Sequence, residues 1–354
     1  MILAILGVGL IGGSVGLAAR ERLGAEVRGH DPGPGVLDAA LARGAIATAC
    51  SSAAEALRGA DAAFVAAPVG ALPVAVREAL DRAGDECVVT DVGSTKRDLV
   101  AAVRDRRFIG GHPLAGAETT GVEHARAGLF DGATWYLTPT AHTEGVLYER
   151  LYRLLADLGA HPAAIDAEAH DRLMASVSHL PHVLANVLVA QAADALEAER
   201  LPATGPSFRD ATRVAGASTA IWRDIYLSNA DALVAAIDDT VRRLAALRGA
   251  LAGRDEAVVV EWNDRAREAR RRLLEADLAG GEVHELRVSV PNRPGVVAEV
   301  ALALGGSGVN ILDMALYPAA DRSSGSIALW IAGEERAGEA EALIGALGFA
   351  VARA

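Results

Sequence analysis

Ile2-Leu-Ala-Ile-Leu-Gly7-Val-Gly-Leu-Ile-Gly12-Gly13 is the stretch that decides the fold of this chain. Its first residues are apolar and bounded by glycine, the pattern of a short buried strand. Gly7, Gly9 and Gly12 follow at G-x-G-x-x-G spacing, and a helical pattern then runs through Arg20. The first glycine permits a tight turn, the second lets a pyrophosphate approach the backbone, and the third lets helix and strand pack closely. Leu10 and Ile11 open the helix, whose N-terminal N–H groups attract an anion. A second strand, residues 25–30, ends at Asp31, about 20 residues beyond the glycines. A carboxylate there grips the ribose hydroxyls of NAD and repels the 2′-phosphate of NADP. Strand, glycine loop, helix, strand and acid, in that order, predict a Rossmann domain with NAD as cofactor. Gly7, Gly9, Leu10, Ile11, Gly12 and Asp31 are its expected contacts.

Working outward, residues 61–66 read as a strand ending at Ala67-Pro68-Val69, residues 71–82 as a helix, and residues 86–90 as a strand running into Asp91-Val-Gly-Ser-Thr-Lys96. Such alternation predicts a parallel sheet with helices on both faces, and ligands bind beyond the carboxyl ends of its strands. Pro68 is therefore expected beside the cofactor, and Ser94 and Lys96 on the ligand edge. The next strand ends in Phe108-Ile-Gly-Gly-His-Pro-Leu-Ala-Gly-Ala-Glu118, where glycine and proline hold His112 on a loop. An imidazole on a rigid loop suits acid–base chemistry, although many loop histidines are only solvated surface. Ser94 has a second reading, as the N-cap of a helix beginning near Lys96, and the two roles are compatible. Residues 135–138 read as a further strand and residues 144–158 as a helix.

The 354 residues leave room for two or three domains. Hydrophobic residues make up 51% and aromatics only 4%, so the cores must be built from Ala, Leu and Val. A net charge of -12 argues against a nucleic-acid or acidic-membrane partner, and means that an anionic substrate needs local positive charge. Cys50 and Cys87 give no disulfide or metal spacing, so a reduced, cytoplasmic protein is expected. The first 19 residues are nearly all apolar, but they lack a basic flank and hold five glycines at motif spacing, which argues against a signal peptide. No other uncharged run is expected to approach the ~20 residues of a membrane span. Lys96 is the only lysine among 34 basic residues. Either it survives by chance, or that place needs a slim ammonium where a guanidinium fork would not fit.

From Asp166 the pattern turns to long helices. One covers residues 167–199 and carries Ser178-His-Leu-Pro-His182, with Pro181 expected to kink it beside the two histidines. No acidic or thiol ligands cluster near His179 and His182, so no metal is expected. Residues 204–207 break the helix before Phe208-Arg-Asp-Ala-Thr-Arg213 and Ile221-Trp-Arg-Asp224, in which Arg213 and Arg223 are also readable as solvated helix residues. Long helices over 229–250 and on to 274 follow, then the linker Ala279-Gly-Gly-Glu282. The tail reads as strand 284–290, helix 294–304, strands 309–317 and 325–332, helix 335–347 and strand 349–352. That order, βαββαβ, is ferredoxin-like. The expected domains are 1–165 (Rossmann), 166–280 (helical) and 281–354 (small α+β).

Five motifs now stand in order over residues 1–275: GVGLIGGSVGLA at 7–18, TDVGSTK at 90–96, FIGGHPLAGAETTG at 108–121, SHLPH at 178–182, and FRDATR at 208–213 followed by IWRDI at 221–225. Together they resemble the prephenate dehydrogenase family of tyrosine biosynthesis. The tail, with Val290-Pro-Asn-Arg-Pro-Gly-Val-Val-Ala-Glu-Val300 and Gly308-Val-Asn-Ile311, is similar to an ACT domain, a small amino-acid-sensing module. The resemblance implies oxidative decarboxylation of prephenate to 4-hydroxyphenylpyruvate with NAD as hydride acceptor. It implies that His112 is the catalytic histidine, that Ser94 hydrogen-bonds the same substrate hydroxyl, and that Arg213 holds a substrate carboxylate through its bidentate fork. His179 and His182 would line the substrate pocket, and Lys96 is grouped with them.

The resemblance further implies a homodimer through an all-α dimerisation domain. L-tyrosine would be the effector of the tail, received at the Pro291-Asn-Arg-Pro-Gly295 turn and faced by Gly308-Val-Asn310. Ala117 and Gly205-Pro206-Ser207 depart from the family's usual residues and leave arogenate as a competing substrate. A β-hydroxyacid-type dehydrogenase is a rival reading, disfavoured because such enzymes place a lysine in the second domain. A non-catalytic regulator binding NAD and an amino acid is another, but it has no use for His112, Ser94 and Arg213 together.

Overall fold

Eight strands lie side by side in the first part of the molecule: β1 (Ile2–Leu6), β2 (Glu26–His30), β3 (Thr48–Ala49), β4 (Ala62–Val65), β5 (Val88–Asp91), β6 (Phe108–Pro113), β7 (Thr134–Thr138) and β8 (His161–Ala164). Their order is β3-β2-β1-β4-β5-β6-β7-β8. The computed structural model describes all residues except 117–118, 200–203, 277–281, 292–295, 297–298, 301–302, 305–306, 308, 310, 320–322 and 354. It divides into two compact units, Met1–Thr240 and Val241–Ala354.

In the first unit β1 pairs in parallel with β2 on one side and β4 on the other. Strand order reverses there, which opens the crevice where such folds bind ligands. The strands are apolar on both faces because both are covered. Leu3, Ile5, Val27 and Phe64 pack on one side with α1 (Leu10–Leu23) and α6 (Gly145–Asp157). Ala4, Leu6, Ala63 and Val65 pack on the other with α3 (Ala53–Leu57) and α4 (Leu72–Arg82).

The expectation of a purely parallel sheet is corrected at one edge: β7 runs antiparallel to β6, and β8 is parallel to β7. Strand β6 ends at the carboxyl edge of the sheet. The chain then stays at that edge, where the short turns Val122–His124 and Ala127–Phe130 pack on α1, so the next strand must run back.

Beyond the sheet, α7 (Ala167–Met174), a π-helical turn (Ala175–His179) and α8 (Leu180–Glu199) follow one another without a break. The irregularity expected at Pro181 is thus a widened turn just before it. Proline offers no N–H to the preceding turn and its ring crowds the carbonyl there, and a π turn relieves both. Ala167–Ala195 is long and apolar enough, by length and composition, to cross a membrane, with a mean hydropathy of 1.5 in its most apolar window. This corrects the expectation about uncharged runs, since residues 173–193 hold no Asp, Glu, Lys or Arg. Polar side chains interrupt the run: His179 hydrogen-bonds Asn229, and His182 hydrogen-bonds Tyr226 and Asn186. Helices α9 (Pro206–Thr212) and α10 (Thr219–Ser228) and the start of α11 (Ala230–Ala252) complete this unit.

The second unit holds the rest of α11, α12 (Glu256–Ala276) and four antiparallel strands: β9 (Val283–Pro291), β10 (Ile311–Pro318), β11 (Ser324–Ala332) and β12 (Ala350–Arg353). Their order, β10-β11-β9-β12, is that of a βαββαβ unit. Leu286, Val288, Ile327, Leu329 and Ile331 pack beneath the helix Glu334–Ala346. The expected helix over 294–304 and the turns at 291–295 and 308–310 lie largely outside the described residues, as do Ala117 and Glu118.

Candidate active site

The glycine loop behaves as its sequence demands. Gly7 has φ +97°, and a Cβ there would sit 2.4 Å from the Ala66 carbonyl oxygen; a Cβ on Gly12 would sit 2.1 Å from the carbonyl oxygen of Gly7. Neither position admits a side chain. Gly9, the N-cap of α1, has nothing within 4 Å of where a Cβ would stand, so this face of the loop is open to a ligand. Leu10 and Ile11 follow as the first residues of α1. Asp31, just past β2, accepts the Val8 N–H at Oδ2 (2.8 Å) and the Gly33 N–H at Oδ1 (2.7 Å), which aims its carboxylate at the rim of the loop. A recess of about 260 Å³ opens here, lined by Val8, Gly9, Asp31, Gly35, Gly121 and Glu123. Pro68 precedes the turn Val69–Ala71 at the end of β4, on the same edge. A bare glycine face at a helix N-terminus beside an anchored carboxylate fits a dinucleotide.

The loop expected to carry His112 is corrected: His112 lies near the end of β6, opposite Tyr136 on β7, because pairing with β7 extends the strand through Gly110, Gly111 and Pro113. Its Nδ1 is 2.9 Å from Nε2 of His170 on α7, and Nδ1 of His170 is 2.8 Å from Oδ1 of Asp171. A carboxylate only accepts hydrogen bonds, so the network assigns each proton. His170 donates from Nδ1 to Asp171, His170 accepts at Nε2 from His112 Nδ1, and Nε2 of His112 keeps a lone pair. Burial first, then His170, Lys96 and His179, push the affinity of His112 for a proton well below that of an ordinary histidine. Burial alone would raise the Asp171 pKa, but the bonds from His170, Arg97 N–H and Lys96 N–H outweigh it and lower it. The result is a neutral base backed by an anion.

Ser94 lies in the loop after β5, neighbour strand to β6, so Ser94 and His112 share the carboxyl edge. Its expected role as a helix cap is corrected: α5 spans Arg97–Ala102, and its free N–H groups at Lys96 (2.8 Å) and Arg97 (2.9 Å) donate to Asp171 instead. The assignment of Lys96 to the substrate is also corrected. Lys96 is fully buried and its ammonium is paired with the equally buried Asp91, so it faces protein rather than the cleft.

His179, in the π turn, is buried and receives Asn229 Nδ2 at its Nδ1 (3.2 Å). Burial pushes its pKa down to about 4, and burial lowers that of His182 as well. His182 stacks on Trp222 with ring centres 3.6 Å apart and hydrogen-bonds Tyr226 Oη. A cavity of about 400 Å³ lies here, lined by His182, Asn186, Thr219, Trp222, Arg223 and Tyr226 among others. The backbone of Val214 bonds to His182, which brings the turn Arg213–Gly216, and with it the exposed Arg213, to this pocket. Among the described residues no group of three or more His, Cys, Asp or Glu could hold a metal ion.

Comparison with known proteins matches the family models for the nucleotide-binding domain of prephenate dehydrogenase over residues 15–163, its dimerization domain over 166–264, and an ACT domain over 284–343. The prephenate dehydrogenase of Bacillus subtilis is 33% identical over 323 residues, covering 88% of this chain and 86% of the relative. The chain belongs to the prephenate dehydrogenase family. A cyclohexadienyl dehydrogenase of Zymomonas mobilis is 31% identical over 276 residues, covering 76% of this chain and 94% of the relative. The crystal structure of the Aquifex aeolicus prephenate dehydrogenase with hydroxyphenyl propionate and NAD+ superposes with a TM-score of 0.70 at 29% identity, covering 77% of this chain and 98% of that one. NAD is accordingly the cofactor of this family member.

Sequence reasoning missed His170, Asp171, Asn229 and Glu123 in this prephenate dehydrogenase family member. The first two read as ordinary polar residues of a helix, 58 residues or more from His112. No local pattern marks them; only the neighbouring pair itself, an imidazole beside a carboxylate, was available as a signal. Glu123 comes from the loop that leaves His112 and returns to α1. The rarity of Lys96 is visible in the sequence, but its pairing with Asp91 is not.

Proposed function

We propose that this chain oxidatively decarboxylates prephenate to 4-hydroxyphenylpyruvate, with His112 as the base that takes the proton of the ring hydroxyl. The observation that carries the reading is the chain Asp171–His170–His112, which leaves His112 neutral with a lone pair at Nε2. NAD, when bound, supplies the hydride acceptor. The hydroxyl proton passes to His112 Nε2 as the carbon bearing that hydroxyl gives up its hydride. The ring carboxylate leaves as carbon dioxide, and its bonding electrons complete the aromatic ring. The proton on His112 is then available to the phenolate oxygen, so the residue ends as it began. Asp171 stabilises the positive charge that His112 acquires in between, through His170.

Ser94, on the loop beside β6, donates a hydrogen bond to the same hydroxyl oxygen. Arg213 receives a substrate carboxylate, a task suited to a planar fork. His179 and His182 line the wall with Trp222. Similarity to proteins named for prephenate supports that substrate over arogenate.

The chain works as a homodimer. Val187, Leu188, Leu227, Val241, Leu244 and Leu251 expose large apolar side chains on its helices, as surfaces awaiting a partner do. L-tyrosine is the effector of the ACT domain, and the enzyme resides in the cytoplasm with Cys50 and Cys87 as free thiols.

The test mixes protein, NAD and prephenate, with arogenate in parallel, and follows NADH absorbance. Prephenate should be oxidised, and His112→Asn should lower kcat by roughly 10²–10⁴ with little change in KM. No NADH from prephenate, or wild-type turnover by His112→Asn, would overturn the assignment.

A further inference from the structure

We propose that Lys96 is a positioning residue for the reaction: its ammonium, locked on Asp91, holds in one geometry the loop that carries Ser94 and the end of β6 that carries His112. The inference deepens the reading of His112 as the base and rests on it.

Both members of the ion pair are fully buried. The Asp91 carboxylate does more than meet Lys96. Its Oδ2 also accepts the N–H of Gly93 (2.8 Å), the neighbour of Ser94, and its Oδ1 accepts the N–H of Gly111 (3.1 Å), the neighbour of His112. One carboxylate therefore ties the Ser94 loop to the end of β6, and Lys96 neutralises it. The main-chain N–H of Lys96 reaches the other anchor, donating to Asp171 Oδ1, the same atom that receives His170 Nδ1. Lys96 thus touches both carboxylates on which the base depends, one by side chain and one by backbone.

The space around Lys96 suits a slim side chain. A Cβ on Gly110 would lie 3.3 Å from Lys96 Cδ, and a Cβ on Gly93 would lie 3.5 Å from Nζ. A guanidinium fork is bulkier than an ammonium and would crowd these two backbones. A buried ion pair is poor evidence of stabilisation, because desolvation offsets most of the attraction. Its value here lies in geometry and charge. The groups around the His112 ring are His170 and Asp171 on α7, His179 in the π turn, Tyr136 on β7, and Asp91 with Lys96 on β5 and its loop. Removing the ammonium alone leaves an uncompensated carboxylate behind His112 and favours its protonation. Removing both charges restores the balance.

The experiment compares Lys96→Met, Lys96→Arg and the double variant Asp91→Asn/Lys96→Met with wild type, in the full chain with NAD. The readouts are kcat, KM for prephenate and the acid limb of the pH profile. Lys96→Met should lower kcat roughly 10²-fold, the effect of a misplaced reacting group. It should leave KM within about threefold and move the acid limb up by about one unit or more, as charge removal near a titrating group does. The double variant should return the limb toward wild type and recover part of kcat, and Lys96→Arg should rescue neither. A rise in KM with kcat and limb unchanged would make Lys96 a substrate ligand and overturn the proposal. So would a loss of kcat with an unmoved limb that the double variant does not recover. If wild type has no acid limb that His112→Asn abolishes, the base assignment fails and Lys96 falls with it; a limb present but unmoved sinks the Lys96 role alone. If a variant does not fold, amine labelling of the native wild type, mapped by mass, decides: Lys96 should label only in denaturant, and rapid native labelling contradicts burial on Asp91.

Discussion

Asp171→Asn tests the relay most directly. The carboxylate is buried and accepts three hydrogen bonds: from His170 Nδ1 (2.8 Å) and Lys96 N–H (2.8 Å) at Oδ1, and from Arg97 N–H (2.9 Å) at Oδ2. An amide has one accepting oxygen. With that oxygen at the Oδ1 position, the Arg97 N–H faces an NH2 group. With it at Oδ2, the Lys96 N–H is left unpaired and the NH2 turns to His170. His170 must then accept at Nδ1 and carry its proton at Nε2, so His112 accepts at Nδ1 and its Nε2 is occupied by a proton. In either orientation one buried donor loses its partner, at about 1–3 kcal/mol. For a unit of this size each kcal/mol moves Tm by about 2–4 °C, so the melt should fall by roughly 2–12 °C. In either orientation the anion behind the imidazole is also gone, and kcat should drop by roughly 10²–10⁴ with KM nearly unchanged. Steady-state NADH formation and a thermal melt measure the two effects separately. A variant that melts lower yet turns over within threefold of wild type would show that Asp171 only caps α5, and would refute the relay.

Acid should unfold the first unit through its neutral histidines. The pKa of His179 falls from 6.5 to about 4 on folding, so the unfolded chain binds the extra proton between those values. This stability is full above pH 6.5 and is lost as pH falls toward 4, on the order of 3 kcal/mol for His179. Denaturant titrations at pH 7 and pH 5 should differ by at least half that amount, and a flat profile would contradict the burial argument. Asp31→Ser with a nearby arginine added should narrow or reverse the preference for NAD over NADP, because the carboxylate that repels a 2′-phosphate is gone; equal use of both by wild type would refute it. A chain ending at Gly280 should lose inhibition by tyrosine, with phenylalanine and tryptophan as controls, and a coupling of about 1–3 kcal/mol would change apparent substrate affinity about 5–150-fold in the full chain. Inhibition that survives truncation would place tyrosine at the active site instead.

The sequence by itself determined the parts of this enzyme whose physics is local. Gly12 is a glycine because a Cβ would strike the Gly7 carbonyl in the turn they form, and Gly7 because its φ is positive, and their spacing after β1 is enough to show it; that Gly7 also abuts Ala66 beyond β4 is a tertiary fact. Asp31 follows from the same short unit. His112 is legible as a candidate because it closes an apolar run at the ligand edge of the sheet, although it sits near the end of β6 and not on a loop; the βαββαβ order of the tail is legible because its elements alternate in pattern. The direction of β7 was not legible, since it depends on the turns Val122–His124 and Ala127–Phe130 packing on α1 rather than the chain crossing over. The relay was not legible either. His170 and Asp171 look like solvated helix residues until α7 lies against α5, where an N–H pair in need of a cap and an imidazole in need of an acceptor share one carboxylate. Lys96 shows the boundary between the two kinds of information. Its rarity is written in the sequence, but whether a lysine meets a substrate or a buried aspartate depends on which groups desolvation forces together, and only the packed structure decides that.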